Sequence, residues 1–447
     1  NCLRIEELDR LIIPDAIDVT SLFLGCSELK YVGYLDISSA TNAYQLFGQC
    51  NKLEDVGTLV ANNLKCIEYM FADCTQLKTA PVFNTLNADS TAGMFQNCVS
   101  LTSVPLYDTT NCVKFDYMFD NCTSLTEVPL FDTSNMISAR YMFNMCGKVV
   151  TLPDFDLGNL RIGTGMFRKC TTVKTIPNYN LGNLIIGSKM FGNCTNIRTT
   201  PNFNFDKLIN ASEMFYACYA LSSVPAYSLP EIMNMEAMFI GCSALTAVPS
   251  FSGCNRLTSL AAIFENCSAL TSVELFNTTN VTNADRMFKD CISLQSIPKF
   301  DFSSVESAYQ MFKSCTLLML EPSDYNFDNV VDASEMFYFC TKFGSNGISK
   351  LSLPSATNCT HALDSTGVTT ITELYLPKCT VASWMFSFCA NLTRINKITS
   401  SAIADASRMF SNCTSLVSSP IFGTADLTDA SHMFFNCTKL AINFTSF

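Results

Sequence analysis

Apolar and polar residues recur along this chain with a fixed period. A Met-Phe-x-x-Cys signature, or a close variant, places cysteines at Cys26, Cys50, Cys74, Cys98, Cys122, Cys146, Cys170, Cys194, Cys218 and Cys242, each 24 residues after the last. One-residue insertions shift the series to Cys267, Cys291, Cys315 and Cys340. It then skips a degenerate copy, where Ala362-Leu363 stands for Met-Phe and Thr366 for cysteine, and resumes at Cys389, Cys413 and Cys437. A period of this length predicts a solenoid, in which each repeat buries its apolar face against its neighbours.

Within each repeat the pattern predicts a short helix followed by a short strand. Asn or Asp stands eight residues before the cysteine (Asp18, Asn42, Asn210, Asp332, Asp405, Asp429). These residue types cap helix N-termini, and Asn210-x-x-Glu213 and Asp332-x-x-Glu335 add the glutamate of a capping box. Apolar residues follow at helical spacing, as in Val281, Ala284 and Met287-Phe288, so Met and Phe are expected to point inward. Asn, Gly or Asp immediately precedes the cysteine in ten of seventeen clear copies, which suits a left-handed helix stop. Cys-x-x-Leu-x-x-Val, as in Cys98, Leu101 and Val104, predicts the strand. Proline seven residues after the cysteine, from Pro81 to Pro249, keeps that strand short because proline has no N–H to donate. An aromatic column (Phe83, Tyr107, Phe131, Phe155, Tyr179) and an Asp/Asn column one residue later (Asn84, Asp108, Asp132, Asp156, Asn180, Asn204) then turn the chain back.

The expected architecture is an α/β repeat solenoid: a leucine-rich-repeat-like right-handed coil of about nineteen 24-residue rungs, each with one short parallel strand and one short helix. Taking about 4.8 Å between parallel strands, such a coil would run roughly 90 Å. It is expected to form one domain over residues 1–447, starting inside a rung because Cys2 lies 24 residues before Cys26. Neither Cys2-Leu3 nor the closing Phe444-Thr445-Ser446-Phe447 reads as a polar cap, so further sequence or another chain is expected to cover both ends.

The run Phe131-Asp132-Thr133-Ser134-Asn135-Met136 leading into Met142-Phe143-x-x-Cys146 recurs as Phe276-Asn277-Thr278-Thr279-Asn280-Val281 leading into Met287-Phe288-x-x-Cys291. It resembles the BspA-type leucine-rich-repeat surface proteins over nearly the whole chain. The resemblance implies a secreted or surface-displayed protein that adheres to host or neighbouring-cell proteins. The regular proline column and the degenerate rung depart from the plainest form of that pattern.

Composition narrows the function. With 48% hydrophobic and only 15% charged residues the chain has enough apolar material for a long core and too little charge for disorder. A net charge of −11 argues against a nucleic-acid partner, because phosphate-backbone affinity comes from clustered Lys and Arg. No stretch reaches the roughly 18 to 20 apolar residues needed to span a bilayer. The chain is therefore expected to be soluble as it stands, with residues before Asn1 lost.

Eighteen of the 23 cysteines fall in one column, where each is expected to act as a small buried hydrophobe carrying a reduced thiol. Rung-to-rung bridges stay open on spacing alone, since adjacent rungs would bring alpha carbons to about 5 Å. The off-column Cys66, Cys112, Cys254, Cys359 and Cys379 are the better candidates for exposed thiols or chance pairs. Short Cys/His spacings of the zinc type are missing, so no metal and no cofactor is expected. Asp108, Asp132 and Asp156 would stack at rung spacing, which backbone N–H groups or a calcium ion could compensate; alternation with Asn180 and Asn204 favours the former. Most of the Asn-Cys-Thr/Ser sequons at Asn121, Asn193, Asn266, Asn358, Asn412 and Asn436 are by-products of the stop residue before the column cysteine.

Only two histidines occur, His361 and His432, and no nucleophile, base and orienting group stand together. A non-enzymatic recognition or adhesion protein is therefore expected, binding a protein or glycan through the outward positions four and five residues after the cysteine. Those positions are mostly small and polar, so the ligand-binding candidates are the exceptions: Lys174, Arg198, Lys78 and Tyr31. The alternative is a structural spacer or assembly element of a surface appendage, phage tail fibre or virion, with neighbouring subunits as partners. Gly344, Gly347 and Gly367 mark a degenerate stretch at about 341–384 as the weakest part of the coil. Limited proteolysis is expected to cut there before any other rung interior; first cuts among the uniform rungs of residues 74–242 would reverse that order.

Overall fold

A computed structural model describes residues 4–423 and 425–441. The expectations placed on Cys2, Leu3 and Phe444 to Phe447 lie outside the described residues. The chain divides into two compact units, Asn1–Ser228 and Leu229–Phe447, each a parallel coil.

Turns in both units are closed by isolated parallel bridges at the position eight residues before the cysteine. In the first unit eight successive bridges run from Asp18↔Asn42 to Ile186↔Asn210, and in the second eight run from Asn234↔Ser259 to Asp405↔Asp429. The coil has about 16 turns rather than the nineteen expected. The higher figure counted every copy of the column, including the partial ones at Cys2 and Cys437.

The expected helix in each rung is absent: among the described residues the one helical segment is a 3-10 turn at Pro322–Asp324. Its place is taken by a chain of tight turns with a two-way hydrogen-bond pattern. Ser21, Phe23 and Gly25 donate their N–H groups to the carbonyls of Tyr44, Leu46 and Gly48 in the next rung at 2.8–2.9 Å. The residues between them, Leu22, Leu24 and Cys26, donate three residues back within their own rung at 3.0–3.2 Å. The second unit repeats this, with Ala262 and Phe264 bonded to Asp285 and Met287, and Ile263 and Cys267 bonded internally.

This geometry requires left-handed backbone five residues and one residue before the cysteine, as at Tyr117 and Asn121, Tyr141 and Met145, or Trp384 and Phe388, with φ between 52° and 64°. Non-glycine residues adopt that region at a cost and cannot do so inside a right-handed helix. At Gly93, φ +61°, an added Cβ would sit 2.2 Å from the Tyr69 ring of the preceding rung, so glycine there leaves room for the ring.

The reason a helix is excluded lies in the core. The phenylalanine three residues before the cysteine stacks on its counterpart in the next rung. Along Phe23, Phe47, Phe71, Phe95, Phe119, Phe143, Phe167, Phe191 and Phe215 the ring centroids are 5.2–5.8 Å apart. An α-helix with its side chains is about 10 Å across and cannot be repeated at half that distance. The Asn and Asp read as helix caps keep the same local bond without the helix: Asp18 Oδ1 accepts the N–H of Thr20 at 2.8 Å and Asn210 Oδ1 that of Ser212 at 2.9 Å.

The strand expected in each rung is also restricted. In the first unit β1 (Glu7–Ile12), β2 (Tyr31–Asp36) and β3 (Asp55–Val60) form a parallel sheet in the order β1-β2-β3. The second unit has the pair β4 (Ala247–Val248) and β5 (Ser272–Val273), and the sheet β6 (Ile348–Ser352), β7 (Thr370–Tyr375) and β8 (Arg394–Thr399). The long strands occur where the position seven residues after the column residue is Asp9, Gly33, Gly57, Gly347, Glu373 or Asn396. From Pro81 to Pro225 only single bridges remain, at Thr79↔Ser103 and Thr199↔Ser223. Proline removes the N–H each ladder step needs.

The degenerate stretch keeps the coil by substitution. Leu363 interrupts the phenylalanine stack, and the Phe343 ring packs on Phe337 at 4.1 Å. Thr366 takes the cysteine position, donating to the Leu363 carbonyl at 2.8 Å and contacting Cys389 Sγ at 3.2 Å.

Met and Phe point inward as expected, with Met118, Phe119, Met142 and Phe143 all at 1% exposure or less. Replacing Phe119 by Ala should lower stability by about 3–5 kcal/mol in chemical denaturation, because it opens a cavity in a stacked column. A loss well under about 1 kcal/mol would place that ring outside the core.

Candidate recognition face

After each cysteine the backbone runs extended and sorts its side chains by position. In the rung of Cys98, Leu101, Val104 and Tyr107 are buried, while Thr102, Ser103, Leu106 and Asp108 are exposed. The outward columns therefore lie four, five, eight and ten residues after the cysteine, of which the last two were not counted as binding positions from the sequence. The aromatic residue between those two is held inside: Tyr107 and Tyr179 donate their hydroxyls to the carbonyls of Pro81 and Pro153 at 2.8 Å.

At the start of the first unit this face is a charge ladder. Lys30 Nζ reaches Glu6 at 2.7 Å, Lys52 reaches Glu28 at 2.6 Å and Lys78 reaches Glu54 at 2.5 Å, each across one rung. These contacts hold the Glu6 and Glu54 carboxyls below their ordinary range and the Lys30 ammonium above its own. Such exposed pairs contribute little to stability but do fix side-chain positions. Arg10 lies over the Tyr34 ring, 4.8 Å from its centroid.

The four sequence-derived candidates fall on this face but do not form one site. Tyr31 opens β2, is 40% exposed, and pairs in register with Glu7 and Asp55. Lys78 is already engaged by Glu54. Lys174 and Arg198 stand on adjacent rungs four and five rungs beyond Lys78; both are exposed and neither makes an ion pair among the described residues. The structure therefore brings Lys174 and Arg198 together and leaves Tyr31 and Lys78 apart from them.

What the sequence reading missed is a row of exposed aliphatics eight residues after the cysteine: Val82, Leu106 and Leu130, 75%, 68% and 60% exposed, with Val150 beside them at 60%. The signal was present as an aliphatic residue between the column proline and the buried aromatic. It was legible only once that aromatic was known to point inward.

The +10 acids serve as turn caps. Asp108, Asp132 and Asp156 each accept the N–H two residues on at 2.9–3.1 Å, as Asn84, Asn180 and Asn204 do at 3.0–3.2 Å. Hydrogen bonds from Ser134 hold the Asp132 carboxyl below its ordinary range. Among the described residues no group of three His, Cys, Asp or Glu side chains is placed to hold a metal ion.

The cysteine column has a definite bonding role. The thiols of Cys50, Cys74, Cys98, Cys122 and Cys146 each donate to the carbonyl of the preceding rung's phenylalanine at 3.1 Å, and Cys267 to Cys340 repeat this at 2.9–3.1 Å. Burial pushes the Cys50 thiol up to about 12 and those of Cys74 to Cys146 well above the ordinary value. Cys50 and Cys74 through Cys218 are free thiols.

The expectation that the off-column cysteines are exposed thiols or chance pairs holds in part: the Cys359 and Cys379 thiols are hydrogen-bonded to each other, but exposure is corrected. Cys112, Cys254, Cys359 and Cys379 are buried because their rungs turn them inward, and only Cys66 is half-buried. His361 is bound to Asp364 at 2.6 Å and stacks on Trp384 at 5.4 Å, so it is part of a packed ladder.

Comparison with known proteins places these repeats. Residues 4–126 and 91–222 match the BspA type leucine rich repeat region in six copies, and residues 258–374 and 380–447 match a Mycoplasma protein of unknown function, DUF285. Among solved structures, a leucine-rich repeat protein from Bacteroides ovatus is similar at 15% identity, covering 90% of this chain and 82% of its own, with a TM-score of 0.33. A leucine rich cell surface protein from Faecalibacterium prausnitzii is similar at 17% identity, covering 68% of this chain and 75% of its own, with a TM-score of 0.31. No curated protein matches the chain.

Because burial raises the column thiols above the unfolded value near 9.0, their contribution to stability is complete below that pH and is lost as pH rises above it, for Cys50 through about 12. Alkylation of the native protein below pH 9.0 should therefore modify Cys66 well before Cys74 to Cys218, and those column cysteines should all react after denaturation without reductant. Column cysteines that stay unmodified after denaturation would show rung-to-rung disulfides instead.

Proposed function

We propose that this chain, whose residues 4–222 match the BspA-type leucine-rich-repeat family, is a non-enzymatic recognition protein acting at a cell surface through the outward columns of its first unit. Proteins of this family are generally protein-binding surface proteins. One observation supports the reading here: the buried columns are uniform and internally satisfied, whereas the outward columns change from rung to rung. Phe and Cys recur with the same stack and the same thiol-carbonyl bond, so they cannot encode a partner. The exposed positions run from paired charges at Glu54-Lys78, through aliphatics at Leu106 and Leu130, to unpaired cations at Lys174 and Arg198. Loops and faces carried by a rigid scaffold are where specificity is free to vary.

Lys174 and Arg198 form the basic element of the site. On a chain of net charge −11 they present adjacent cations with no internal partner, and that arrangement steers an acidic protein or glycan surface towards the face. Tyr31 and Lys78 contribute further up the same face.

The test is adhesion of beads coated with the chain to a cell layer. Lys174→Glu with Arg198→Glu should cut adhesion by about tenfold or more, the loss of one or two charge-assisted contacts. Unchanged adhesion removes that patch as the site. Deleting two rungs in register from the first unit should also abolish it; adhesion that survives this deletion, with only the length of the displayed particle changed, would make the chain a spacer.

A further inference from the structure

The aliphatic row has no packing reason to exist. Elsewhere in the first unit the same column carries Arg10, Tyr34, Thr58, Asp154, Asn178, Asn202 and Ala226, none of them a large aliphatic, and Thr58, Asp154, Asn178 and Asn202 are exposed and polar. Val82, Leu106 and Leu130 interrupt that sequence on three adjacent rungs at 60–75% exposure, a contiguous apolar strip of the kind that marks an interaction site on a soluble protein. Next to Leu130 the surface dips into a groove of about 650 Å³ whose walls include Leu130, Val150 and Pro153 and whose rim carries Glu127 and Asp154.

The edges of the strip are acidic. Asp108 and Asp132 lie two residues beyond Leu106 and Leu130, on the same side of the backbone because the intervening Tyr107 and Phe131 are buried. Glu127 and Asp154 flank the groove. All four are exposed, and none makes an ion pair among the described residues, in contrast to Glu6, Glu28 and Glu54 higher on the same face.

Charge decides between occupants. A second copy docking about a two-fold axis would set this strip against itself and bring its unpaired acids together, which is repulsive. A partner that is apolar along one line and basic on either side meets both features. Spacing decides its form. Residues three or four apart on a helix have Cβ atoms about 5–6 Å apart, and seven residues advance about 10.5 Å. Rungs repeat at 5.4–5.8 Å in the neighbouring phenylalanine stack, so a helix laid along the coil sets successive apolar side chains on Val82, Leu106 and Leu130.

We propose that Val82, Leu106 and Leu130, with the groove at Val150, Glu127 and Asp154, dock a basic amphipathic helix of a partner protein, its aliphatic line on the strip and a Lys or Arg in the groove. This rests on the recognition function proposed above but uses different columns from Lys174 and Arg198.

The probe is a labelled synthetic peptide of about four helical turns with leucine at every third or fourth position and lysine on both flanks. Two controls go with it, a scramble of the same composition and a version with glutamate for lysine. Fluorescence anisotropy with the full chain at physiological salt should show binding of the aligned lysine peptide alone. Leu106→Ser with Leu130→Ser should weaken it by about tenfold or more, and Glu127→Gln with Asp154→Asn should do so separately. These side chains are exposed, so the melting temperature of each variant should stay at the wild-type value.

Equal binding of the scrambled peptide overturns the proposal in favour of diffuse charge attraction, and undiminished binding by either double variant overturns it by showing that the strip or the groove is not the site. A dimeric mass in solution that reverts to monomer in Leu106→Ser with Leu130→Ser overturns it in favour of a second copy. Lys174→Glu with Arg198→Glu should leave peptide binding intact. Peptide binding that fails while cell adhesion persists removes the helix site and leaves recognition standing; the converse result removes the basic site and keeps this one.

Discussion

The repeat distance between rungs controls this protein. Adjacent phenylalanine rings stack at 5.2–5.8 Å on the side of the coil where a leucine-rich repeat would carry a helix, which leaves room for extended or turn backbone and nothing wider. Backbone N–H and carbonyl groups confined to that space must still be paired, since a buried unpaired group is costly. The alternation of Ser21 and Phe23 bonding forward with Leu22 and Leu24 bonding inward meets that demand, and left-handed residues at two positions in each rung are its consequence.

The cysteine column follows from the same constraint. The Phe carbonyl accepts one bond from the cysteine of its own rung, as Cys50 N–H does to Phe47 at 3.1 Å, and has a second lone pair facing the next rung. A thiol is small enough to fit a fully buried column and can donate into that lone pair, as Cys74 does to Phe47 at 3.1 Å. Serine would also donate, but its hydroxyl is more costly to bury and fills less of the apolar layer. Thr366, at the one column position without cysteine, turns its hydroxyl to Leu363 in its own rung, and the carbonyl of the preceding rung loses its thiol partner.

An inside satisfied this way leaves the outer columns under little structural demand. Proline from Pro81 onward reduces the strand ladder to single contacts such as Thr102 N–H to the Lys78 carbonyl at 3.2 Å, and Tyr107 and Tyr179 return a hydroxyl to the proline carbonyl of the preceding rung, which helps hold the extended segment in place. Residues eight and ten positions after the cysteine are carried outward on that segment. Their identity is free to change between Thr58, Leu106 and Asn178 without disturbing the stack beneath. A rigid interior with an exchangeable surface is the arrangement that recognition requires.

The sequence by itself determined the repeat, its period, the buried Phe, Met and Cys columns, the Asx turns and the places where proline ends a strand, because each depends on residue type at a fixed offset. It also pointed to Lys174 and Arg198 as exceptions on a polar face. What it could not determine was the conformation between Asp18 and Cys26 and its equivalents, since apolar residues three and four apart suit a helix as well as a run of tight turns. Nor could it show that Val82, Leu106 and Leu130 face outward, because an aliphatic residue beside an aromatic reads as core from either position. Both questions were settled by tertiary structure: stacking at little more than 5 Å forbids a helix, and the bond from Tyr107 to Pro81 turns the aromatic in and its neighbour out.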